Sequence, residues 1–515
     1  MLFRTRKIYK LSPLKRYYSN KTTHSNKWQT VVGLEVHAQI NSVSKLFSGA
    51  STKFSSPVNT NVDLFDGAIP GTLPVLNKRC VEAGVLTALA LNCRVSPVSL
   101  FDRKHYFYAD MPAGYQITQQ RLPLAVDGEL QFQVYTPGVH KTPYKAKVRI
   151  KQLQLEQDSG KSIHDTHVTL VDLNRAGVPL IELVFDPDLK DGEEAAALVK
   201  ELIHILRRIN TCSCKMEEGA LRVDANVSIN RKGEALGTRT ELKNIGSVRG
   251  VAAAVKYEIE RQIKVKESGG AVVNETRAWD SVAKRTVVMR DKEVVQDYRF
   301  MPEPNLPPLC VAMGPVKQGT VNADELKAAI PELPEQIRQR LQGEVGLSAE
   351  HSIILVNDFC LLSIFEEALQ KRRIDAKLLA NVLLNDLNTI LNKKNLEPEH
   401  IKCEADYFGE AIDLLQNGKI NRTTLRIILE EVILDASTRP TKLVEEWGLF
   451  QISDERELRK LCEEVLGENE KVVKAYKLGK VKAFKALMGA VAAKTKNRAD
   501  MAKCDAILKE LVGNK

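Results

Sequence analysis

No apolar run in this 515-residue chain approaches the ~20 residues that a membrane span requires. The longest, such as Ala83–Leu91, stop well short, and a soluble protein is expected. Nor is there a disulfide framework. Nine cysteines, an odd number, fit reduced thiols better than paired ones. Cys212 and Cys214 form a lone Cys-x-Cys without a second pair at zinc-site spacing, so they read as two small, semi-buried side chains. The lack of any repeat of solenoid length excludes stacked-repeat architectures. Phosphate-binding loops are missing as well. Ser159-Gly160-Lys161-Ser162 resembles the end of a P-loop, but that loop needs a glycine five residues before Gly160, where Leu155 stands. No GxGxxG step from strand to helix appears, so any nucleotide would have to lie on a sheet.

Acidic residues are absent from residues 1–27, which hold eight Arg and Lys. Basic, hydroxyl-containing and acid-free, this segment has the composition of a mitochondrial transit peptide, and Arg16-Tyr17-Tyr18-Ser19 resembles a matrix-protease cleavage context. A basic arm for nucleic acid is the competing interpretation. From Lys471 onward there are 12 basic residues against three acids, leaving 55 basic and 62 acidic residues between the two ends. The overall charge of +10 is therefore a property of the termini.

From Thr30 to about Met301 short strand-like runs dominate, interrupted by helical stretches at Lys78–Asn92, Gly192–Arg208 and Gly246–Val265. Phe300–Pro308, with four prolines, marks a boundary. Helical periodicity follows at Ser352–Gln370, Asp375–Leu391, Tyr407–Leu415 and Arg422–Leu434, and a basic helical unit runs from about Thr441 to Lys515. The expected architecture is α+β: a mixed or antiparallel sheet body over residues 28–310, a helical domain over 311–440 and a small helical tail over 441–515.

Alternate side chains of a strand share a face. Glu35, His37 and Gln39 point together, as do Arg222, Asp224, Asn226 and Ser228. Gln152, Gln154, Glu156 and Asp158 form a third set, and Arg239, Glu241 and Lys243 a fourth. Glu182 sits on a fifth strand among Leu180, Ile181, Leu183 and Val184, where a carboxylate needs a cation or donors to replace lost water. Each pattern alone suits a wet strand face. Together they are rich in Glu, Asp, Asn and His, and poor in the Thr and Lys of solvated strands. Hard oxygen ligands with one imidazole suit Mg²⁺ shared with phosphates, with Lys161, Arg222 and Lys243 as phosphate-binding cations.

Ordered blocks of the chain resemble one family. They include Val31–Ile40 (VVGLEVHAQI), Asn59–Asn77, Phe101–Gln119 (FDRKHYFYADMPAGYQITQ), Leu170–Val184, Lys215–Ser228 (KMEEGALRVDANVS), Glu241–Ser247 (ELKNIGS), Glu275–Asp280 and Asp297–Leu309. Gly448–Glu455 and Gly479–Lys496 match more loosely. The resemblance is to GatB, the B subunits of tRNA-dependent amidotransferases, and it covers essentially everything after the presequence.

The resemblance implies a ligase that converts Glu-tRNA(Gln) to Gln-tRNA(Gln) in the mitochondrial matrix. It acts with an amidase A subunit, which releases ammonia from glutamine, and a small C subunit, and no membrane is involved. ATP and Mg²⁺ would serve phosphorylation of the glutamate side chain in a cradle with a glutamine-synthetase-like face. By block alignment Glu35, His37, Glu156, Asp224 and Glu241 are implied as metal and nucleotide positions, with Glu35, His37, Asp224 and Glu241 catalytic. Glu182 receives no role. The helical domain and the YqeY-type tail would engage tRNA, and Lys471, Lys474, Lys477, Lys480, Lys482 and Lys485 are the expected phosphate contacts, wrapping more than one side of a helix. The chain departs from the family where HxEEDxGK becomes Gln154-Leu155-Glu156-Gln157-Asp158-Ser159-Gly160-Lys161. Further departures are Ala109 and Ala113, which replace a common Pro and Lys, and Asn497–Asp500, which replaces a shorter turn. A tRNA-binding scaffold with a silent sheet, and a free-standing ligase using ammonia on a small acid, are the alternative classes. The retained acids weigh against the first and the basic tail against the second.

Overall fold

The computed structural model describes residues 27–289, 298–314, 320–480 and 482–513. The expected transit peptide, apart from Lys27, lies outside the described residues. Two compact units are present. The first takes in the chain up to Thr136 and Tyr144–Pro331, the second Pro137–Pro143 and the chain from Glu332 onward.

A nine-stranded sheet forms the first unit. Its strands are β1 (Trp28–Gln39), β2 (Arg94–Val95), β3 (Ala125–Val134), β4 (Tyr144–Gln157), β5 (Pro179–Phe185), β6 (Leu221–Arg231), β7 (Thr240–Lys243), β8 (Thr276–Asp280) and β9 (Arg285–Val288). The order across the sheet is β9-β8-β7-β6-β1-β5-β4-β3-β2, antiparallel except for the β7–β8 pair. β1 is thus central, and its apolar positions Val32, Leu34, Val36 and Ala38 are fully buried while Glu35, His37 and Gln39 are half-buried.

Three helices supply the packing partners: α1 (Lys78–Ala90) on β4, α2 (Gly192–Arg208) on β3, and α3 (Val248–Glu267) on β6 and α2. In α2 the buried Ala195, Leu198, Val199, Leu202, Ile205 and Leu206 recur at helical spacing, which gives one apolar stripe. Each helix starts on a side-chain cap. Asn77 accepts from the Arg79 amide, Asp191 from Glu193 and Glu194, and Ser247 from Gly250.

A three-stranded sheet, ordered Met301–Pro302, Asp102–His105, Tyr115–Thr118, packs its last strand against β4. The proline-rich segment is therefore part of the first unit and not its end. Pro302 is tolerated because its strand is at the edge, where no donor is needed. Leu309–Ala312 then pairs with Val98–Ser99, and a helix at Ala323–Ala328 packs on α1, so the unit extends to Pro331 rather than ending at 310. The strand carrying Glu241 and Lys243 begins at Thr240, so Arg239, expected on the same face, is exposed outside it.

In the second unit one apolar core runs from Ile337 to Val444 and another from Leu458 to Leu508. The helix expected at Ser352–Gln370 is two, Ala349–Val356 and Phe359–Lys371, because Asp358 caps the second by accepting from the Leu361 amide at 3.0 Å. Val382–Leu387 is a π-helical turn carrying the buried Asp386 to Arg422 and Arg426. The six tail lysines do not wrap one helix. Lys471, Lys474 and Lys477 fall on Glu470–Lys477, while Lys482 and Lys485 fall on Lys482–Lys494. Lys480 sits in the turn between, where Gly479 has φ +92°. All six are exposed, while Val472, Val473, Phe484 and Met488 pack on the second core. No helix among the described residues is long and apolar enough to cross a membrane.

Candidate active site

Register decides which polar side chains meet. Across the sheet Gln154 pairs with Glu182, Glu182 with His37, and His37 with Arg222. Two residues along β1, Glu35 pairs with Asp224, and Asn226 lies opposite Glu241. These rows lie on the face expected from strand parity.

Two groups result. In the first, ligand atoms of His37, Glu156 and Glu182 all lie within 4.8 Å of one another. His37 Nε2 is 3.7 Å from Glu182 Oε1. Gln116 donates to Glu156 Oε1 at 2.6 Å, and Gln154 to Glu182 Oε2 at 2.7 Å. Among the described residues, the buried Glu156 Oε2 has no hydrogen-bond partner. Burial pushes the Glu156 carboxyl up to about 7, with Lys104 opposing and Glu182 reinforcing the shift. Glu182 is also raised by burial and relieved by Lys104. Lys104 in turn is held above its ordinary value, chiefly by Glu156. Burial lowers the His37 pKa against the pull of Glu156 and Asp224, so its imidazole is neutral and can act as a ligand.

The second group centres on Lys243. Its ammonium contacts the Asp224 carboxylate and lies 3.1 Å from Glu241 Oε1. Burial works against the Lys243 charge, but Asp224 and Glu241 outweigh it and raise its pKa. Thr276 donates to Glu241 Oε2 at 2.7 Å, and Asn226 to Glu35 Oε1 at 3.0 Å. Beside this group the Arg222 guanidinium contacts Asp158, and Arg175 approaches the same carboxylate at 3.6 Å.

A cavity of about 500 Å³ joins the groups, lined among others by His37, Tyr106, Glu156, Asp158, Arg222, Asp224 and Lys243. Glu35 and Glu241 are not part of its lining: Glu241 bears on it through Lys243, while Glu35 is held by Asn226, which does not line it either. Lys161 is not brought in. It is exposed on a separate hairpin, Lys161–His164 with Thr169–Asp172, because the chain turns away from β4 after Gln157.

Lys104, Gln116 and Tyr106 do not stand out in the sequence as site residues. Strand parity carries a signal for two of them, since Lys104 and Gln116 are direct partners in the three-stranded sheet. The answer to the buried Glu182 is thus Lys104 and His37, assisted by Gln154.

Comparison with known proteins adds the family. A model of the GatB/GatE catalytic domain matches residues 30–316, and a GatB domain model matches residues 363–512, which takes in most of the first helical core and all of the second. The B subunit of the mitochondrial glutamyl-tRNA(Gln) amidotransferase of Aedes aegypti is 52% identical over 511 residues, covering 97% of either chain. The corresponding Homo sapiens protein is 46% identical, covering 92% of this chain and 87% of its own. The B subunit of the aspartyl/glutamyl-tRNA(Asn/Gln) amidotransferase of Rickettsia typhi is 43% identical, covering 95% and 98%. With both domain models matched and whole-length relatives at this identity, the chain belongs to the GatB family.

Proposed function

We propose that this chain is the B subunit of a mitochondrial glutamyl-tRNA(Gln) amidotransferase of the matrix, that it uses ATP and Mg²⁺, and that it works with an amidase subunit and a small third subunit. Relatives whose names carry that activity support it, as do the cavity and its charges.

The chemistry needed is specific. A carboxylate resists attack by ammonia because its oxygen is a poor leaving group. Transfer of the γ-phosphoryl group of ATP to the glutamate side chain makes a mixed anhydride and releases ADP. Ammonia then attacks the acyl carbon, phosphate departs with the former carboxylate oxygen, and a proton is lost from nitrogen. Positioning and charge neutralisation supply most of the acceleration in phosphoryl transfer.

The observation that carries the proposal is the unpartnered, buried Glu156 Oε2 beside Glu182 and neutral His37. Two carboxylates, one imidazole and an unsatisfied oxygen fit a divalent cation, and His37, Glu156 and Glu182 would hold it. When bound, such an ion neutralises phosphate oxygens. The remaining work falls to the chain's own groups. Arg222 and Lys243 line the cavity and present positive charge to anionic oxygens. Asp224 and Glu241 hold the Lys243 ammonium in place and charged. Tyr106 covers one wall, its hydroxyl donating to Gln116 Oε1 at 2.9 Å, and limits water.

Co-expression with the amidase and small subunits, followed by assay with Glu-tRNA(Gln), glutamine and ATP, tests this. Phosphate release that depends on Glu-tRNA, with Gln-tRNA formed in equal amount, is expected. Assembly and tRNA binding without ATP turnover would leave a scaffold, and turnover of a free small acid a stand-alone ligase.

A further inference from the structure

The loop at the cavity's edge carries more aromatic surface than the cavity uses. Tyr106 meets Tyr108 edge-on at 5.7 Å and Tyr298 at 6.1 Å, and Tyr298 meets Phe300 at 6.1 Å. The Lys104 ammonium lies 5.0 Å over the Tyr298 ring. These contacts build a firm base. On it, the two residues after Tyr106 are left to solvent, Phe107 86% exposed and Tyr108 64%. The Phe107 ring lies against Gly114, where a Cβ would stand 3.0 Å from its Cε1, so the bare backbone allows the ring to sit there. Grouped exposed rings packed on other aromatic side chains mark a surface that a ligand covers.

The substrate's chemistry says which ligand. In an aminoacylated tRNA the amino acid is esterified to the ribose of the unpaired 3′-terminal nucleotide. With the glutamate carboxylate in the cavity lined by Tyr106, the length of the glutamyl ester and its ribose would leave the terminal base at the cavity mouth. Unpaired bases are bound by stacking on aromatic side chains. We infer that Phe107 and Tyr108 form the stacking platform for the 3′-terminal base of the incoming aminoacyl-tRNA. This rests on the amidotransferase proposal. The adenine of ATP is the other purine present, but a small nucleotide is enclosed by its pocket. An open platform suits the end of a macromolecule arriving from solvent.

The test uses the assembled complex with Phe107→Ala and Tyr108→Ala combined. The KM for Glu-tRNA should rise roughly tenfold or more, the worth of a stacked base. The KM for ATP and tRNA-independent glutamine hydrolysis should stay within about twofold, and Phe107→Trp should retain tight binding. Glu-tRNA lacking its terminal base should lose the same factor with the unaltered complex and nothing further with the double variant. A rise in the KM for ATP instead would assign the rings to the nucleotide. Failure of the variant to co-purify with its partner subunits would assign them to a protein interface. Unchanged kinetics would leave them without a ligand, and each of these three results overturns the inference. The unaltered complex separates the two claims. If it does not amidate Glu-tRNA, the functional proposal fails; if it does while the variants behave normally, only the stacking platform fails.

Discussion

Gln154 donates its side-chain amide to Glu182 Oε2 at 2.7 Å, directly across the β4–β5 register. The residue that departs from the family's usual histidine thus keeps a donor for the buried acid. Gln154→Leu should remove it at a cost of about 1.5–3 kcal/mol, the value of a hydrogen bond to a charged group. Gln154→His should behave close to the unaltered protein. Denaturant unfolding and amidation rate, measured side by side, check both.

Glu156→Gln keeps the shape and can still accept from Gln116, but it removes the carboxylate charge beside His37 and Glu182. Conversion of Glu-tRNA should fall about 100-fold or more. The thermal shift produced by Mg²⁺ should disappear, with subunit assembly intact. A Mg²⁺ shift of normal size in this variant would move the cation elsewhere.

Glu241→Gln tests the second group. Lys243 loses one of its two carboxylates, and ATP-dependent conversion should be abolished while glutamine hydrolysis and assembly persist. Near-normal transamidation would exclude Glu241 from the machinery.

Asp386 offers a pH-dependent test in the second unit. Burial favours its neutral form, but Arg422 and Arg426 outweigh burial and hold the carboxyl below its usual range. A depressed acid stabilises the fold above its unfolded value of about 3.9, and that contribution is lost as pH falls through the lower folded value. Replacing Arg422 and Arg426 together by Met should cost about 3–5 kcal/mol at neutral pH by stranding the buried charge. Asp386→Asn should cost less, because the two arginines are 45% and 59% exposed and can turn to water. The stability gap between unaltered protein and Asp386→Asn should be full at about pH 7 and should narrow as pH falls below about 3.9.

Reversing charge at Lys471, Lys474, Lys477, Lys480, Lys482 and Lys485 should raise the KM for Glu-tRNA. It should also lower the salt slope by about one for each phosphate that is no longer neutralised. Hydrolysis of free glutamine should be unchanged. Deletion of residues 1–27 should leave the protein in the cytosol, with a purified complex fully active, which fractionation and assay together decide.

Period-two alternation puts Glu35, His37, Asp224 and Arg222 on one face, and the β1–β6 register brings them opposite one another. That much follows from local geometry. Lys104 is not legible in the same way, because it arrives on a separate small sheet whose seat against β4 is set by packing between distant segments. Lys161 shows the converse. Its place after Ser159-Gly160 suits a phosphate-binding cation, yet the turn there sends the chain into an independent hairpin. The split of the tail lysines between two helices depends on Gly479, whose positive φ few other residues adopt without strain.

The central position of β1 has a consequence for how the site comes into being. Glu35 precedes both of its cross-strand neighbours, Val184 and Asp224, by a long stretch of chain. No local hairpin can shelter this strand, and long-range pairing of this kind is slow and leaves edges open while it waits. The polar face is therefore complete only once β5 and β6 have both paired with β1. Any wrong pairing of β1 before then would lose the site without touching a carboxylate in the cavity.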